Sequence, residues 1–118
     1  MRYFVSYARR DNSVERLREV RALLSETGHV YVDDLEAHSV DTDRVQTVVN
    51  ALMRADVFVA IQSDSYLTTE WTRWEFDSAL HIGIEMLAVL PSNDVVRPAE
   101  AGWPWSGSLP PVTATAIS

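Results

Sequence analysis

Four short apolar runs alternate with three amphipathic stretches, and this alternation constrains the fold more than any other feature of the chain. YFVSY (3–7), HVYV (29–32), DVFVAI (56–61) and MLAVL (86–90) have strand length and are rich in β-branched and aromatic residues. DVFVAI is almost wholly apolar, as expected of a central parallel strand covered on both faces. Between these runs the period changes to that of a helix. Val14, Leu17, Val20 and Leu24 recur at helical spacing behind a capping box of Asn12 and Glu15, and Gly28 sits where a C-cap glycine belongs. The spacing predicts a helix over about residues 13–26. Val45, Val48, Val49, Leu52 and Met53 predict a second helix. A third begins near the candidate caps Thr68 and Thr69 and runs through Ile82 to Gly83.

The order β-α-β-α-β-α-β predicts a parallel sheet with right-handed crossovers and helices on both faces. In such sheets ligands bind beyond the carboxyl ends of the strands, near the point where strand order reverses. Ser6 to Arg10, Asp33 to His38, Ser63 with Asp64, and the start of the third helix should therefore converge on one rim. LEAHSVDTD (35–43) is polar and aperiodic, a loop on that rim. From Ser92 onward the chain is proline- and tryptophan-rich, and VTATAI (112–117) alternates in the manner of a short fifth strand. The whole chain, residues 1–118, reads as one domain with its core over 3–91.

Composition narrows the chemistry. The net charge is −7, all ten basic residues are arginine, and there is neither lysine nor cysteine. That argues against a duplex nucleic-acid face or an anionic membrane surface. It removes Schiff-base, P-loop-lysine, thiolate and disulfide chemistry. No apolar run approaches the ~20 residues of a membrane span, and MRYFVSYARR has no apolar signal region, so a cytoplasmic location is expected. His29, His38 and His81 have no ligand neighbour at i+3 or i+4, which argues against zinc. No glycine-rich phosphate fingerprint follows any strand.

The segment EWTRWEF (70–76) holds the sharpest candidate. Trp71 and Glu75, four apart, share one helical face near the expected rim. If Trp71 walls a cleft it lowers the local dielectric and raises the carboxyl pKa of Glu75. The alternative is a core tryptophan beside a surface glutamate or an arginine partner. Arg9 and Arg10 follow the first strand and suit an anion, or else balance nearby acids. Asp33 and Asp34 suit a cation or a ribose hydroxyl, or else a turn.

Taken together, FVSYARRD (4–11), VYVDDLEA (30–37), ADVFVAIQSDSYLTTEW (55–71) and WTRWEF (71–76) resemble the Toll/interleukin-1 receptor (TIR) domain family in its bacterial form. They match its F-[IV]-S-Y strand, the start of its BB loop, its central strand with S-x-x-[YF]-x-x-S-x-W, and its W-x-x-x-E signature. The resemblance spans roughly residues 3 to 91 and implies a flavodoxin-like three-layer α/β sandwich. Its sheet would be parallel, with four to five strands. It further implies cleavage of the nicotinamide–ribose bond of NAD+ as substrate, with no cofactor, giving nicotinamide and ADP-ribose or a cyclic isomer. Glu75 would be the catalytic carboxylate. Trp71, Tyr7, Arg9, Asp34 and Leu35 would contact substrate or the loop covering it.

Family members act on association, through the BB loop (35–43), and some are non-catalytic interaction scaffolds in signalling or antiphage defence. A nucleoside N-glycosidase shares the architecture and a catalytic glutamate. Two departures stand out: the BB loop has no Pro-Gly pair, and the family's last helix is absent from the chain. Its absence is expected to leave an apolar strip beside the first helix, covered by self-association or another TIR domain.

Overall fold

A computed structural model describes residues 1–36 and 43–98. Strands β1 (Arg2–Ser6), β2 (His29–Tyr31), β3 (Val57–Ile61), β4 (Glu85–Val89) and β5 (Val95–Val96) form one sheet in the order β2-β1-β3-β4-β5. The first four are mutually parallel, while β5 runs antiparallel to β4. The central strand is the all-apolar one: every residue of β3 is buried. Helices α1 (Val14–Ser25), α2 (Arg44–Arg54) and α3 (Glu70–Ile82) make the crossovers. Among the described residues the architecture is the flavodoxin-like one expected. The fifth strand is not: VTATAI lies outside the described residues, and the observed β5 is the unforeseen pair Val95–Val96.

Strand alternation sorts the core into two layers. Val5, Val57, Val59 and Val89 face α1 and meet Leu17, Val20 and Leu24. Phe4, Phe58, Ala60 and Ala88 face α2 and α3 and meet Val48, Leu52, Phe76 and Ala79. On the second face Phe4 stacks on Tyr31 and on Phe58, and Phe58 meets Phe76 edge-on at 5.9 Å. Parity of this kind places Ser6, two residues after Phe4, on the α3 side of the sheet.

Two local expectations need correction. The N-cap of α1 is Ser13, which accepts from the Arg16 N–H. Asn12 instead donates its amide to the Ala8 carbonyl and closes a 3-10 turn over Arg9–Asp11, so it is not free to cap. Gly28 is not a left-handed C-cap either; α1 ends at Glu26 in a right-handed conformation. A Cβ on Gly28 would lie 2.2 Å from the Met1 carbonyl, the same oxygen that accepts the His29 N–H. Gly28 is needed for this close approach of backbones. Gly83 is the cap expected, with φ of 86° after α3.

Candidate active site

Strand order reverses between β1 and β3, and a cavity of about 280 Å³ opens beyond their carboxyl ends. It is lined by Phe4, Val5, Tyr7, Arg9, Asp33, Thr69, Trp71, Thr72 and Glu75. Of the residues singled out from sequence, Tyr7, Arg9, Asp33, Trp71 and Glu75 are thus brought to one cavity. Asp34 and Leu35 are not among its lining residues.

The EWTRWEF helix resolves in an unexpected sense. Its buried residues are Thr72, Glu75, Phe76 and Ala79, so the carboxylate occupies a position in the apolar stripe of α3. Glu75 is 5% exposed, whereas Trp71 is 42% exposed and stacks on Trp74 with ring centroids 5.1 Å apart. Among the described residues no arginine pairs with Glu75. Burial pushes its carboxyl up to about 8; the hydrogen bond from Ser6 opposes that, the charge of Asp33 adds to it, and a weaker bond from Trp71 opposes it.

Beneath Glu75 lie two hydroxyls. Ser6 Oγ, fully buried, donates to Glu75 Oε1 at 2.7 Å and shares a 2.7 Å hydrogen bond with the Tyr66 hydroxyl. Tyr66 is held in a 3-10 turn, Tyr66–Thr68, just before α3. Thr72 Oγ donates to the Tyr66 and Thr69 carbonyls and fastens that turn to the helix. Asp11 accepts from the Ser65 N–H at 2.7 Å and ties the turn after β1 to the turn after β3. The nearby Ser63 hydroxyl and hydrogen bonds from Ser65 hold the Asp11 carboxyl below the usual carboxylate range.

A second network borders the cavity on the β2 side. Arg9 grips Asp34 through two nitrogens, Nε and a terminal NH2, each 2.9 Å from a carboxylate oxygen. The Asp34 N–H donates to the Tyr7 hydroxyl at 2.9 Å. Arg44, the first residue of α2, bonds Asp33 and lies 3.7 Å from Asp34. Tyr31 donates to the other oxygen of Asp33. Ion pairs therefore join the two ends of the 35–43 segment, of which residues 37–42, His38 included, lie outside the described residues. Leu35 packs on the α1-side core.

Sequence reasoning placed Ser6 on the rim but gave it no role, and gave none to Tyr66 or Thr72. Strand parity was the available signal for Ser6. For Tyr66 the signal was weaker: a tyrosine in the turn leading into the glutamate's helix.

The fold and cavity define a flavodoxin-like α/β domain with a buried carboxylate at its switch point. The sequence profile of the TIR domain matches residues 4–112, and the chain belongs to the TIR domain family. Comparison with curated proteins and with solved structures gave no match. No helix among the described residues is long and apolar enough to cross a membrane.

Proposed function

We propose that the chain is an NAD+ glycohydrolase, active when chains associate. The observation that carries this reading is Glu75, buried without an ion-pair partner among the described residues, at the wall of an open cavity under Trp71. A cavity of about 280 Å³ is near the lower end of the ~300–1,000 Å³ range of small-molecule sites. It suits the nicotinamide–ribose portion of the substrate and not the whole dinucleotide.

In the proposed reaction the C1′–N bond breaks and nicotinamide leaves with the bonding electron pair as a neutral molecule. The ribose is left as an oxocarbenium cation. Water adds to C1′ and releases a proton, giving ADP-ribose; attack by the adenine ring gives a cyclic product instead. Glu75, gripping the ribose hydroxyls, offsets the developing charge where little water competes. Its raised pKa fits this role: in the empty site the carboxyl is largely protonated at neutral pH. A cationic nicotinamide entering the cavity favours the ionised form. Tyr7, Arg9 and Trp71 shape the pocket around the substrate, with Asp34 orienting Arg9 and Leu35 anchoring the loop that covers it.

A specific observation favours a second reading, a non-catalytic interaction module. Met53, Trp71, Trp74, Leu80 and Ile82 are all exposed on α2 and α3, whereas α1 exposes only Val14 and Leu23 of its large apolar side chains. Nicotinamide release from NAD+, followed by chromatography at high protein concentration with a crowding agent, separates the two. Wild type should cleave and Glu75→Ala should lose activity by about 100-fold or more, as when a transition-state charge loses its stabilising group. Absence of cleavage by wild type, with light scattering showing association, would leave the interaction module.

A further inference from the structure

Ser6 and Tyr66 make no contact with the open cavity, yet they meet its carboxylate from behind. Both are buried, and both 2.7 Å hydrogen bonds of the chain Tyr66–Ser6–Glu75 are closed to solvent. A hydroxyl has one proton and two lone pairs. When Glu75 is ionised, Ser6 gives its proton to Oε1 and its lone pair accepts from Tyr66. Every group in the chain is then used, and each bond polarises the next. If the acid proton of Glu75 sits on Oε1, Ser6 accepts there instead of donating, and its own proton must turn to the Tyr66 hydroxyl or to another acceptor.

We propose that Ser6 and Tyr66 are positioning residues that favour the ionised, working form of Glu75, with Oε1 engaged by the relay and Oε2 left for the ligand. This rests on the reading of Glu75 as the reacting carboxylate. The charged and titratable groups facing Glu75 are Tyr66 from the turn before α3, Asp33 from the turn after β2, and Tyr7 and Arg9 after β1. Of these, Asp33 opposes ionisation, so the hydroxyl relay is the principal group favouring it.

The test uses the full chain with ¹³C-labelled glutamate, and follows the Glu75 carboxyl carbon by NMR as pH is raised, with no substrate present. Ser6→Ala should move the midpoint upward by about one pH unit or more, the scale of a hydrogen bond to a charged group. Tyr66→Phe keeps the ring and the packing and should move it in the same direction by less. The double variant should match Ser6→Ala alone, because the tyrosine hydroxyl acts through the serine. In parallel, the acid limb of kcat/KM for NAD+ should follow each midpoint.

Unchanged midpoints in both single variants would overturn the relay even if NAD+ is cleaved. Equal and additive shifts would overturn it too, since they make the two hydroxyls independent. Shifted and non-additive midpoints without cleavage would sustain the relay and refute the glycohydrolase reading alone.

Discussion

Replacing Glu75 by glutamine should make the protein more stable, and more so as pH rises. In the native chain the Glu75 carboxyl is raised from an ordinary 4.5 to about 8, with burial as the main cause. Between those two values the native state binds a proton that the unfolded chain has released. Stability from this group is therefore fully present below about 4.5 and is lost as pH rises to about 8. At ~1.36 kcal/mol per pH unit the whole interval corresponds to roughly 5 kcal/mol, of which roughly 3 is gone at pH 7. Against a domain stability of ~5–15 kcal/mol this is a large share. Glutamine has nearly the same shape, carries no charge at any pH, and its amide oxygen accepts the Ser6 hydrogen bond. The assay is urea unfolding followed by tryptophan fluorescence at pH 5, 7 and 9 for both proteins. Carboxylates such as Asp11 and Glu19, held low by hydrogen bonds, titrate alike in both and drop out of the difference. Glu75→Gln should nearly equal wild type at pH 5, exceed it by about 3 kcal/mol at pH 7, and by about 5 at pH 9. A difference that stays within about 1 kcal/mol across this range would refute the buried, unpaired carboxylate.

Two further predictions concern the frame around the site. Gly28→Ala would drive a Cβ to 2.2 Å from the Met1 carbonyl, and separating those backbones should cost about 1–3 kcal/mol, read as a lower urea midpoint with unchanged slope. Arg44→Ala should change stability by less than about 1 kcal/mol, because the ion pair is half-exposed. It should nevertheless raise the Glu75 midpoint in the NMR titration, since the Arg44 cation then no longer offsets the charge of Asp33; a lowered midpoint would contradict the role of Asp33.

Most of the frame was legible because it follows period and punctuation. The all-apolar DVFVAI had to be central, and Gly83 had to end α3. Features that depend on where another segment passes were not legible. Gly28 looks like a cap until Met1 is seen against it. Asn12 looks like a cap until its amide is seen closing the Ala8 turn. Val95–Val96 carries no period of its own and is a strand only because the edge of β4 is open to it. In the candidate site the spacing of Trp71 and Glu75 gave a shared face but not which of the two turns inward. Thr72, Phe76 and Ala79 decide that by forming the stripe that packs on the sheet, and Glu75 lies within it.

That inversion bears on which reading of the protein is preferable. An interaction module needs exposed surface, and Trp71 and Trp74 supply it whatever occupies position 75. A neutral residue there would satisfy Ser6, fill the stripe and spare the chain roughly 3 kcal/mol at pH 7. The carboxylate is instead buried beside an open cavity, its Ser6 donor backed by a second hydroxyl, and the charge of Asp33 raises its pKa further. Burial and the neighbouring acid raise the free energy of the ionised carboxylate and are offset when a cation enters, while the hydroxyls fix the orientation of the acid. The scaffold reading leaves this strain without a purpose. The glycohydrolase reading uses it twice: to favour binding of a cationic substrate, and to oppose the charge that grows on the ribose as the bond breaks.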